Sequence, residues 1–169
     1  NATQSMLTAA IYIGLAMVFD ALDGRIARMT GTAGDFGAEL DSLCDAVSFG
    51  AAPAFFLRVF GEALYGAGIE HTPEWPIRLL WATAALYLAC TVLRLARFNV
   101  EAGRDDDHRS FRGLPSPAAA AACVSLFLIS YFYRDDATGK LAFGGTMTVL
   151  IPVCGTAFAL LMVSRVRYL

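Results

Sequence analysis

Asp20-Ala21-Leu22-Asp23-Gly24-Arg25-Ile26-Ala27-Arg28, followed closely by Gly37-Ala38-Glu39-Leu40-Asp41-Ser42-Leu43-Cys44-Asp45, places four aspartates in hydrophobic surroundings. Carboxylates in or beside membrane-spanning helices are costly to hold charged, so they are rare there and a cluster marks a functional site. Asp20 and Asp23 are three residues apart and Asp41 and Asp45 four apart. On helices, each pair therefore projects from one face. Two helices can then offer four carboxylates to one point, which needs cations. Hard divalent ions such as Mg2+ or Mn2+ prefer oxygen ligands, and Mg2+ completes its shell with water and substrate phosphate. Two such ions would offset the four charges and let the site accept an anionic pyrophosphate. The spacing does not choose between Mg2+ and Mn2+, because an all-oxygen site admits either.

The residues on either side of this string decide the fold class. The chain is 57% hydrophobic and 17% charged, which moves it from the soluble globular class toward membrane proteins. A spanning helix needs about 20 mostly apolar residues. Five runs qualify: about Ala2 to Met29; Phe36 to Phe60, with a kink expected at Pro53; Pro76 to Phe98; Pro115 to Tyr133; and Thr146 to Val163, interrupted by Pro152. The links between them are short and polar, so the expectation is an all-α, polytopic membrane helical bundle in one domain, residues 1–169. With the aspartate-bearing ends toward the cytoplasm, roughly nine of the basic residues fall on that side against about four opposite, as the positive-inside rule prefers. Trp75, Trp81, Tyr131 and Tyr133 sit near helix ends, where an aromatic belt places them. A net charge of -2 leaves no basic footprint, which argues against nucleic acid as a partner.

Other residues carry less. Cys44, Cys90, Cys123 and Cys154 lie in separate apolar stretches without zinc or disulfide spacing, and read as buried small residues. Asp105, Asp106 and Asp107 fall in a polar link and read as a solvated loop, and His71 stands alone on the opposite side. Ser48 could face the aspartates, although a serine in a membrane helix more often bonds its own backbone. Gly24 and Ala27 offer no bulk, which lets a flat base or a neighbouring backbone approach, and Arg28 adds a cation suited to phosphate oxygens. Acidic residues in membrane helices also mark cation pathways, but here the pairs lie toward helix ends beside Arg25 and Arg28, which oppose cation passage.

The whole string reads Asp-x2-Asp-Gly-x2-Ala-Arg-x8-Gly-x3-Asp-x3-Asp from Asp20 to Asp45 without a departure. It resembles the signature of the CDP-alcohol phosphatidyltransferase family. The resemblance implies six transmembrane helices, often in a homodimer, that displace CMP from a CDP-linked lipid by an alcohol. It also implies two divalent cations, Asp20 and Asp41 contacting both, Asp23 the first and Asp45 the second. Asp45 would be the catalytic base as well, and Gly24, Ala27 and Arg28 would face the CDP-lipid. The family has a further spanning helix before the signature, and this sequence begins too close to Asp20 to contain it, so five of six helices are expected. A membrane prenyltransferase also uses aspartates and Mg2+, but its motifs are usually separated by many helices.

Three downstream stretches are similar to the phosphatidylserine synthase branch of that family: Asp45-Ala-Val-Ser48-Phe49-Gly50-Ala-Ala-Pro53-Ala, Arg94-Leu-Ala-Arg97-Phe98-Asn99, and Phe111-Arg-Gly113-Leu-Pro115-Ser-Pro117. That resemblance implies CDP-diacylglycerol as donor and L-serine as acceptor, at the cell (inner) membrane with the site facing the cytoplasm. Serine carries a carboxylate, so the pocket should supply a cation. Arg94 and Arg97 are the candidates for that carboxylate or for a lipid phosphate, against a simple anchoring role at the membrane surface. A sibling enzyme using glycerol 3-phosphate or an inositol phosphate is the alternative, because the signature fixes the donor and not the acceptor.

Overall fold

A computed structural model of the chain describes residues 2–30, 34–66, 74–102, 113–133 and 144–164. Their regular structure is entirely helical: α1 (Ala2–Thr30), α2 (Asp35–Asp45), a π-helical segment (Ala46–Ala51), α3 (Ala52–Gly66), α4 (Glu74–Ala102), α5 (Ser116–Phe132) and α6 (Gly144–Val163). Among the described residues, four stretches are long and apolar enough to cross a membrane: Thr3–Ile26, Phe36–Leu64, Trp75–Val100 and Thr146–Val163. The chain is an integral membrane protein built as an all-α bundle. The expected span Pro115–Tyr133 forms as α5, an apolar helix of 17 residues. At 17 residues it is the shortest of the apolar helices, so four of the five expected spans reach full crossing length among the described residues. Asp105, Asp106, Asp107, His108 and His71 lie outside the described residues.

Each helix buries one stripe. On α1 the buried residues are Met6, Ala10 and Ile13; on α4 they include Leu80, Ala84, Tyr87, Thr91 and Leu95; on α6, Met147, Ile151, Gly155, Ala159 and Met162. These are steps of three and four, the period of a helix face. The opposite face of α1 is apolar too, with Ile11, Leu15, Val18, Phe19 and Leu22 exposed, a surface suited to hydrocarbon and not to water.

Lipid tails are as apolar as leucine, so close packing holds such helices together. α4 packs most extensively on α6, and Gly155 shows why: a Cβ there would stand 2.7 Å from Thr83 Cγ2. Phe127 of α5 meets Phe56 and Phe60 of α3 edge to face, at centroid distances of 5.4 and 5.3 Å. The buried hydroxyls of Thr83 and Thr91 donate to the Leu79 and Tyr87 carbonyls at 2.9 and 2.8 Å, which satisfies them inside an apolar bundle.

The two prolines singled out in the sequence behave differently from each other. The kink expected at Pro53 is an extra-residue turn just ahead of it, the π-helical segment. Pro53 has no N–H to give the Phe49 carbonyl four residues back, and the buried Tyr87 of α4 donates its hydroxyl to that carbonyl at 3.3 Å. Such π turns recur at functional sites, where they re-aim the residues before them. Pro152 does not interrupt its helix; α6 runs through it from Gly144 to Val163.

Candidate metal centre

α1 carries Asp20 and Asp23 past its midpoint, and α2 ends on Asp45 where the π-helical segment begins. One carboxylate oxygen from each of Asp20, Asp23 and Asp41 lies within 4.8 Å of the others. The intervals read from the sequence thus bring two helices to one point. Asp45 stands outside that tight trio. It lies within hydrogen-bonding reach of Asp20 and within electrostatic range of Asp41 and Arg94, and it lines the same pocket of about 220 Å3, together with Asp20, Asp23, Asp41, Ala16, Phe19, Cys44, Ser48 and Phe49.

Carboxylates held about 5 Å apart repel one another by on the order of 3 kcal/mol per pair at an effective dielectric constant of about 20. The chain holds three of them that close on apolar helices, an arrangement that divalent cations neutralise. The donors are all carboxylate oxygens, which fits hard ions such as Mg2+ or Mn2+.

Gly24 follows Asp23 on α1, and a Cβ added there would meet nothing within 4 Å. Packing among the described residues therefore does not require a glycine at 24, and the space beside it is open. The side chains of Ala27 and Arg28 lie outside the described residues, although their backbone belongs to α1.

Arg94 does not project freely into the pocket. Its Nη1 donates to Ser116 Oγ at 2.9 Å, its Nε is buried with no partner among the described residues, and its charge is felt at Asp45. Ser116 is fully buried at the start of α5, held there by a turn in which Gly113 adopts φ +83. A side chain at Gly113 would collide with the Met162 carbonyl 2.5 Å away, and Leu114 N–H donates to the Leu161 carbonyl at 3.1 Å. Arg97 lies one turn along α4 from Arg94.

Several polar residues of this region add to the sequence reading or depart from it. Cys44 is exposed on the pocket wall and not buried, and Cys154 is half-buried; only Cys90 and Cys123 match the expectation for small core residues. Ser48 also lines the pocket, from within the π-helical segment. Ser42 and Asn99 join α2 to the end of α4 through a side-chain hydrogen bond of 3.0 Å. A lone amide at the end of an apolar run was the available sequence signal for Asn99.

Comparison with known proteins agrees with this geometry. Residues 2–164 match the model of the CDP-alcohol phosphatidyltransferase family. The chain belongs to that family. Within it, the similarity falls on the serine branch across distant organisms. A CDP-diacylglycerol–serine O-phosphatidyltransferase of Helicobacter pylori is 37% identical over 155 residues, which are 90% of this chain and 56% of that protein. One of Mycobacterium tuberculosis is 39% identical over 133 residues, 75% of this chain and 42% of the relative. An archaetidylserine synthase of Methanothermobacter thermautotrophicus is 38% identical over 133 residues, 78% of this chain and 50% of the relative. The chain spans about half the length of these curated relatives. No solved structure matches it.

Proposed function

We propose that the protein transfers the phosphatidyl group of CDP-diacylglycerol to the hydroxyl of L-serine, giving phosphatidylserine and CMP. The observation that carries this reading is the convergence of the Asp20, Asp23 and Asp41 oxygens within 4.8 Å, with Asp45 on the same pocket wall. The serine relatives support the choice of acceptor. We place the reaction in a single membrane domain whose site faces the cytoplasm at the cell membrane, in a homodimer.

Asp20, Asp23, Asp41 and Asp45 would hold two divalent cations, Mg2+ or Mn2+. Such ions, when bound, neutralise pyrophosphate charge, polarise phosphorus and stabilise the departing CMP phosphate. The chain's own groups supply the rest. A pocket of about 220 Å3 takes the pyrophosphate of the donor, leaving its acyl chains to the hydrocarbon around α1. The open space beside Gly24 admits the nucleotide, and Arg28 pairs with its phosphates. Asp45 takes the proton of the serine hydroxyl, a role that needs an ionised carboxylate within hydrogen-bond reach of the attacking oxygen. In this scheme Arg94 acts as a fixed positive charge behind Asp45, anchored by Ser116, and Arg97 supplies the counter-charge for the serine carboxylate or the lipid phosphate.

The test is acceptor competition in detergent micelles with CDP-diacylglycerol and radiolabelled L-serine, glycerol 3-phosphate or an inositol phosphate. Label is expected in lipid from serine, at least a hundredfold above the other two, because a site built to pair polar groups rejects acceptors that leave them unpaired. Comparable incorporation of either phosphate-bearing acceptor would overturn the serine assignment and leave the CDP-lipid chemistry standing.

A further inference from the structure

We infer that Ser42 and Asn99 form a clamp that fixes the attitude of α2, making them positioning residues for Asp41 and Asp45. The inference rests on the metal-site reading above. α2 is an 11-residue helix whose principal packing partner is the π-helical segment that continues it, and Phe36, Leu40 and Leu43 on it are exposed. A short helix anchored at one end can swing about that end, and every degree of swing moves Asp41 and Asp45 relative to Asp20 and Asp23 on α1.

The bond to Asn99 opposes that swing. Ser42 lies between the two aspartates of α2, 57 residues from Asn99 in sequence. The Asn99 Nδ2 donates to Ser42 Oγ at 3.0 Å, which leaves the serine hydroxyl hydrogen for the Ala38 carbonyl, also at 3.0 Å. The chain of bonds therefore runs from the end of α4 through one side chain into the backbone of α2. Both polar groups are part-buried, so a broken bond is replaced by water only in part, and its loss is felt. α4 is itself locked against α6 and α3, which makes it a firm point of attachment.

The test is Mn2+ binding to the chain in micelles, followed by electron paramagnetic resonance with no substrate present, for wild type, Ser42→Ala, Asn99→Ala, the double variant, and the exchange Ser42→Asn with Asn99→Ser. Each single alanine is expected to weaken Mn2+ binding about fivefold to tenfold. The double variant should be no worse than either single, as for two residues acting through one bond, and the exchange should recover part of the loss. Thermal unfolding should change little, since α2 stands at the edge of the bundle. Wild-type binding that the single variants leave unchanged would overturn the clamp alone, as would losses that add in the double variant. A melting temperature that falls in step with Mn2+ affinity across all variants would make the pair merely structural. A wild-type chain that binds no Mn2+ would overturn both the clamp and the metal reading beneath it.

Discussion

Asp45→Asn is expected to lower turnover roughly 10²- to 10⁴-fold, the range that a positioned general base supplies, while metal-dependent binding of CDP-diacylglycerol survives. Asparagine keeps the shape of the side chain and loses its basicity, so the acceptor hydroxyl keeps its proton. Asp45 lies outside the tight trio of Asp20, Asp23 and Asp41, which is why its loss should spare binding more than the loss of Asp20. Asp20→Asn removes the charge and one of the two oxygens of a member of the trio and is expected to weaken donor binding at least tenfold as well as turnover. Measuring CDP-lipid binding and serine incorporation on both variants separates the roles. Equal loss of binding in the two would contradict the division of labour.

Removal of divalent cations should be as severe. With a chelator in excess, incorporation of serine is expected to fall to the background of a protein-free control, and addition of Mg2+ or Mn2+ to restore it. Without the ions, the clustered carboxylates would meet a doubly charged pyrophosphate with repulsion instead of attraction, so neither binding nor departure of CMP is helped. Activity that persists after chelation and returns no higher on addition of metal would place the chemistry elsewhere.

The features legible in the sequence were those set by local periodicity. Intervals of three and four put Asp20 beside Asp23 and Asp41 beside Asp45, and helical geometry turned those intervals into a shared face. The apolar runs were legible because length against bilayer thickness is a one-dimensional criterion, and it is least decisive at α5, whose 17 residues fall between Pro115 and a turn at Tyr133. What depended on contacts between distant residues was not legible. Pro53 announced an irregularity, but not that Tyr87 reaches the Phe49 carbonyl across the bundle. The sequence offers Arg94 as a cation for an anion or as a surface anchor and does not show Ser116 beneath it, nor Asn99 beside Ser42. Cys44 looked like core because its neighbours are apolar, yet the helix turns it toward the same open pocket as the carboxylates.

The anomalous scattering of Mn2+ in crystals grown with CDP-diacylglycerol is the most direct measurement of all. Two manganese peaks are expected between α1 and α2, ringed by oxygens of Asp20, Asp23, Asp41 and Asp45 and touching the donor's phosphates. Manganese absent from that pocket, or bound with the donor's pyrophosphate lying elsewhere, would contradict it.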